Sequence, residues 1–176
     1  MDTSEFDEAY EDDTSRREAE ERKLGEKILG ASLRALSPRP AVTMSETTSI
    51  EDAVQLMLEQ KIGAVLITKD ARPIGIFTER DVLVKLALGE VDKSLPVSEV
   101  MTPDPETLGL DDGIAFALNR MVEHGYRHIP IVDDQGHALG VLSVRQVVAY
   151  MVSLMPGRVL NLPPEPGLEA RAPDGG

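Results

Sequence analysis

Two stretches of the chain carry one pattern of apolar and polar positions. In "SIEDAVQLMLEQKIGAVLITKDARPIGIFTERDVL", apolar residues recur three and four apart through Ala53, Val54 and Met57 and run unbroken in "AVLIT". They pause at a polar turn, resume in "IGIFT" and return to helical spacing in "DVLVKLAL". In "GIAFALNRMVEHGYRHIPIVDDQGHALGVLSVRQVV" the same signals follow in the same order: Ala117, Leu118 and Met121, then "HIPIV", a polar turn, "LGVLS" and a closing helical pattern. Spacing of three and four predicts an amphipathic helix, and short apolar runs between turn residues predict buried strands. Thr78 and Ser143 hold equivalent places 65 positions apart, and short extended segments, "AVTM" and "ETL", precede the two copies.

Each copy therefore reads as β-α-β-β-α, which places the chain in the α/β (α+β) class. One such unit of roughly 60 residues buries too little surface to be secure alone, so two copies are expected to pack sheet against sheet about a pseudo-twofold axis. The closing patterns "DVLVKLAL" and "VRQVVAYMVSLM" are apolar around most of their circumference. One face then serves its own sheet and the other a partner, and a homodimer is expected.

The ends read differently. Residues 1–14 carry many acids and little to bury, and are expected to be a disordered tail. Over 15–37, "SRREAE" offers a capping box, and Leu24, Ile28, Leu29, Leu33 and Leu36 recur at helical spacing until Ser37-Pro38 and Pro40. This predicts one amphipathic helix that docks on the domain or on a second subunit. Repeat one then occupies 38–90, a linker 91–104 and repeat two 105–155. Residues 156–176, dense in Pro and Gly, read as a second disordered tail.

Composition narrows the chemistry. Aromatic residues make up 3% of the 176, so the core must be aliphatic, and cysteine is absent. That excludes disulfides, thiolate nucleophiles and cysteine-ligated metals, and with an acidic start unlike a signal peptide it points to a reducing cytoplasm. A formal charge of −13 repels phosphate backbones and anionic lipid, so neither nucleic acid nor membrane is an expected partner; a small anion in a locally basic pocket is not excluded. No Walker loop, nucleophile elbow or dinucleotide fingerprint occurs, so no enzyme activity or catalytic cofactor is expected. His124, His128 and His137 with Asp133-Asp134 could be drawn as a metal site, but "DDQGH" is an ordinary polar turn and His124 suits a helix end.

The quartet Thr78-Glu79-Arg80-Asp81 has two readings. It is a capping box at the start of a helix, or a hydroxyl and a carboxylate placed to hold a ligand's hydroxyl groups. Repeat two has Ser143-Val144-Arg145-Gln146 at the same place, which keeps a cap and loses the carboxylate. Only a task requiring an anion separates the two, which makes Asp81 the better ligand candidate and Gln146 the better simple cap. Likewise Arg127-His128 in repeat two aligns with the uncharged Gly63-Ala64 in repeat one, so the polar residues are complementary between copies. Arg127 is either a phosphate-binding fork or a solvated rim residue, and His128 either a ligand donor or a strand histidine.

"GIFTERD", "VSEVMTPDPETL" and "YRHIPIVD", in this order and spacing, resemble the signatures of a tandem pair of cystathionine-beta-synthase (CBS) domains, the Bateman module, over about residues 40–155. The resemblance implies a regulatory protein whose clefts bind adenosyl ligands such as AMP, ADP, ATP or S-adenosylmethionine. It implies that Asp81 and Thr78 hold the ribose hydroxyls and that Arg127 and His128 reach the phosphates. The adenine would lie against Ile76, Phe77 and the extended Glu106-Thr107. One cleft then looks complete and the other, with Ser143 and Gln146, stripped of both halves, so one nucleotide site per chain is expected. The signal would pass to a protein partner that the sequence does not name. The rival reading is a dimeric scaffold that uses the repeats as a structural core and binds no ligand.

Overall fold

A computed structural model describes residues 25–86 and 91–154, together with residues 19, 22 and 23. The tails expected at 1–14 and 156–176 lie outside the described residues. The repeat is present as read, in an α+β arrangement. Repeat one has β2 (Thr43–Met44), α1 (Ile50–Gln60), β3 (Ala64–Lys69), β4 (Arg72–Thr78) and α2 (Glu79–Asp81), which runs on as the π-helical stretch Val82–Leu86. Repeat two has β6 (Leu108–Gly109), α3 (Ile114–His124), β7 (His128–Val132), β8 (Ala138–Ser143) and α4 (Val144–Leu154). Two further short strands, β1 (Arg39–Pro40) and β5 (Thr102–Pro103), lie ahead of the respective repeats.

The helices form where local chemistry directs them. Ser49 caps α1 by accepting the Asp52 amide at 3.1 Å, and the apolar positions Ile50, Ala53 and Met57 fall on one buried face. α3 buries Ile114, Ala117 and Met121 in the same way and ends at Gly125, whose φ of +70° suits glycine. Its counterpart after α1 is Lys61, a left-handed residue with φ +53° and a β-carbon. The two hairpins differ as well: β3 and β4 turn through Asp70 (φ +50°) and Ala71 (φ +62°), both left-handed.

Each sheet borrows a strand from ahead of the other repeat. The first has the order β2-β3-β4-β5 and the second β6-β7-β8-β1, so β1 completes repeat two and β5, from the linker, completes repeat one. Pro40 pairs with Gly140 and Pro103 with Gly75. The glycines permit this crossing. A β-carbon on Gly140 would sit 2.6 Å from the Arg39 carbonyl oxygen, and one on Gly75 2.2 Å from the Met101 sulfur. Between the sheets, Ala64, Leu66 and Ile76 meet Ala41, Ala138 and Val141.

The expected single helix over 15–37 divides. Residues 25–30 are helical, but Leu33–Leu36 form a separate 3₁₀ turn. The break occurs because this backbone finds partners in repeat two: Leu33 and Arg34 donate to the carbonyls of Asp112 and Leu110, and Ile114 donates to Ala31. Arg34 forks onto Asp111 at 2.7 and 2.8 Å, and Leu33 and Leu36 enter the core with Ile129, Ile131 and Leu142. Leu29, expected on the apolar stripe, is 68% exposed. The linker does the same for repeat one, where Val97 and Val100 join Ile50, Ile67 and Phe77. Among the described residues, no helix is long and apolar enough to cross a membrane.

Candidate functional site

The quartet Thr78-Glu79-Arg80-Asp81 sits where β4 passes into α2. The capping box is complete. Asp81 Oδ2 accepts the Thr78 amide at 2.9 Å and the Thr78 hydroxyl at 2.6 Å, while Thr78 Oγ1 accepts the Asp81 amide at 3.3 Å. Repeat two reproduces it with a neutral side chain: Gln146 Oε1 accepts from the Ser143 amide and hydroxyl at 2.9 and 3.0 Å. Capping therefore does not need the carboxylate charge. The other oxygen of Asp81 shows what does use it. Oδ1 lies 2.7 Å from the Lys85 ammonium and accepts the Thr102 hydroxyl at 3.3 Å.

Thr78, Asp81, Arg127 and His128 line one groove of about 330 Å³, together with Arg80, Lys85, Thr102 and the loop His124–Tyr126. Within each repeat an equivalent hydrogen bond ties the start of the closing helix to the residue just before the first strand of the hairpin. The Glu79 amide donates to the Gly63 carbonyl at 3.1 Å, and the Val144 amide donates to the Arg127 carbonyl at 3.0 Å. Gly63, the counterpart of Arg127, leaves room that the site uses. A β-carbon there would lie 3.1–3.2 Å from the His128 ring and 3.2 Å from Glu79 Oε2. Burial pushes the His128 imidazole below its ordinary value, the Glu79 carboxylate pulls it up, and neighbouring Arg127 pushes it down again.

The residues expected around an adenine are placed elsewhere. Phe77 is fully buried in the core of repeat one and Ile76 fills the seam between the sheets, as alternation along β4 requires. Thr107 is exposed, and Glu106 is held by Arg120 of α3, whose guanidinium keeps its carboxyl below the usual carboxylate range. None of the four lines this groove. The residues that sequence reasoning missed are Lys85, Thr102 and the aromatic pair His124 and Tyr126, whose ring centroids are 5.2 Å apart. Lys85 had a signal, since a lysine four positions after an aspartate shares its helical face.

A second groove, of about 430 Å³, lies at Ser143 and Gln146. It lacks a carboxylate at the cap, as expected, yet it is not stripped of cations. Arg39, Lys61 and Arg145 line it, and Arg127, His128 and Glu79 are shared with the first groove. Aligning Arg127 with Gly63 missed these, because Arg39 arrives on the crossing strand and Lys61 from the end of α1. His137 Nδ1 lies 3.2 Å from Asp133 Oδ2 within the β7–β8 turn. Among the described residues, no group of three or more potential metal ligands converges.

Known proteins share the repeat and the fold. The family model for the CBS domain matches residues 33–88 and 97–153. The chain is 31% identical over 117 residues to an uncharacterized 17.7 kDa protein of Acidianus ambivalens, covering 66% of each chain. A CBS domain-containing protein of Arabidopsis thaliana is 30% identical over 134 residues, which span 24% of its length. Among solved structures, a CBS domain protein of Pyrobaculum aerophilum complexed with AMP superposes with a TM-score of 0.64 at 26% identity, over 72% of this chain and 99% of that one.

Proposed function

The chain belongs to the CBS domain family, and on that premise we propose that it is a regulatory sensor of an adenine nucleotide. The ligand is bound in the groove between the β4–α2 junction and the Gly125–His128 segment. The observation that carries this reading is the meeting of Thr78 and Asp81 from one repeat with Arg127 and His128 from the other in a single groove. An ionised carboxylate offers only acceptors and suits a vicinal diol, and a guanidinium suits phosphate oxygens. AMP, ADP or ATP fits the basic half better than S-adenosylmethionine, whose sulfonium would bring positive charge to Arg127. The AMP in the Pyrobaculum relative supports an adenosyl ligand of this kind.

A ligand held by both repeats favours one relative arrangement of the two sheets, and the signal is the resulting shift of population, passed to a protein partner. About three charge-assisted hydrogen bonds at roughly 1.5–3 kcal/mol each, less ordering costs, give micromolar to millimolar affinity. A homodimer formed through the closing helices is part of this proposal, supported by the exposure of Leu83, Val84 and Val148. A reducing cytoplasm as the site of action is supported by the lack of cysteine.

One observation favours the scaffold reading instead: Asp81 is already satisfied by its own cap, Lys85 and Thr102. A thermal-shift screen against AMP, ADP, ATP, S-adenosylmethionine and NADH decides between them. Ligand at 100 times its dissociation constant adds about 2.7 kcal/mol, and the sensor reading expects a shift of several degrees that Asp81→Ala cuts by about half or more at the same ligand concentration. No shift with any of the five leaves the scaffold.

A further inference from the structure

The four acceptor positions of the Asp81 carboxylate are taken. Oδ2 receives two hydrogen bonds from Thr78, and Oδ1 receives Lys85 at 2.7 Å and Thr102 at 3.3 Å. Lys85 is equally engaged. Its ammonium has three donors, and besides Asp81 it donates to the carbonyls of Val100 at 2.7 Å and Met101 at 3.4 Å. It thereby joins three things: the carboxylate at the groove, the π-helical stretch that carries it, and the linker immediately before β5. Repeat two has no such residue, since Tyr150 stands at the equivalent position.

We infer that Lys85 is a resident competitor for the diol-binding carboxylate, and that it sets both the affinity of the groove and the link from ligand to linker. The inference rests on the proposed function. A vicinal diol must donate two hydrogen bonds to Asp81, and the cap on Oδ2 cannot be given up without opening the start of α2. The ligand therefore takes Oδ1, where Lys85 and Thr102 now sit. Displacing the ammonium removes one of its three acceptors, and its hold on Val100 and Met101 weakens with it. A groove filled by its own lysine thus requires a ligand whose hydroxyls compete, and occupancy loosens the linker strand from the closing segment of repeat one.

A competing lysine differs from a merely structural one in the signs of its effects. Lys85→Met keeps the aliphatic stem and removes the charge. It should lower the unfolding midpoint, because an ion pair and two hydrogen bonds to carbonyls are lost, while tightening adenosine binding about tenfold, because the ligand then has only the Thr102 hydroxyl to displace from Oδ1. Adenosine is the probe because it carries the diol without a phosphate that Lys85 could assist. Binding of 2′,3′-dideoxyadenosine, which lacks the diol, should be the same in the variant and the wild type. Both nucleosides are titrated by NMR chemical shift, and Lys85→Gln serves as a second variant.

Adenosine affinity that falls or stays unchanged in both variants overturns the inference, as does an equal gain for the dideoxy nucleoside. Failure of the proposed function looks different: AMP binding that is indifferent to Asp81→Asn would refute the groove itself, whatever Lys85 does.

Discussion

Asp81 carries two tasks that the second repeat allows to be separated. Asp81→Gln recreates in repeat one the Ser/Thr-x-x-Gln cap that Ser143 and Gln146 form at 2.9 and 3.0 Å, so the hydrogen bonds to the Thr78 amide and hydroxyl persist. What disappears is the negative charge beside Lys85. Lys85 is 37% exposed and Asp81 11%, which places the pair near the upper end for surface ion pairs, and Lys85 retains the Val100 carbonyl. The stability cost is therefore about 1 kcal/mol. Asp81→Ala loses the cap as well, for roughly another 1 kcal/mol. Ligand binding should respond in another proportion. Without an ionised acceptor for the diol, about 1.5–3 kcal/mol is lost, and AMP weakens tenfold to more than a hundredfold in both variants. Urea denaturation reads the first quantity and calorimetric titration the second. If Asp81→Gln bound AMP within twofold of the wild type, the carboxylate would be serving Lys85 alone and the reasoning would fail.

Other expectations concern the framework and the charge of the site. Gly140→Ala should cost more than Gly75→Ala, because its β-carbon meets the Arg39 carbonyl whereas that of Gly75 meets a flexible methionine; about 1–3 kcal/mol is expected for Gly75→Ala, partly recovered in Gly75→Ala/Met101→Ala by denaturant titration. Ala71→Gly should raise the melting temperature by about 2–4 °C, since it relieves a left-handed alanine and makes an Asp-Gly turn; no gain would show the turn to be unstrained. His128 titrates below its ordinary 6.5 because it is buried, so the unfolded chain binds the proton more readily. Its contribution to stability is fully present above about pH 6.5 and is lost as pH falls through the lower folded value. A bound phosphate reverses the preference, so AMP affinity should rise as pH drops from 7.5 to 6, and His128→Asn should flatten both profiles.

Much of this was legible in the chain because the repeat states the fold twice. The helices at Ile50 and Ile114, the strand pairs and the complementary placement of Thr78-Asp81 and Arg127-His128 all follow from pattern. The 3₁₀ turn at Leu33 was not, since leucines at 29, 33 and 36 satisfy helical spacing and nothing local reveals that repeat two supplies the hydrogen-bond partners. A signal existed, because "LRALSPRP" parallels "VSEVMTPDP", and the family match to each repeat starts at those segments. Ile76 and Phe77 show the limit of apolar composition as evidence: strand alternation sends one to the seam and the other to the core. The cations of the second groove depend on a crossing strand, a relation in space that spacing along the chain does not contain.

Whether one nucleotide is held by both repeats at the first groove is tested most directly by an AMP titration followed by backbone-amide NMR. The signals of Thr78 and Asp81 should move together with those of Arg127 and His128 on one saturation curve, while Ser143 and Gln146 stay in place. Movement confined to Ser143 and Gln146, or no movement at millimolar AMP, would contradict binding by both repeats.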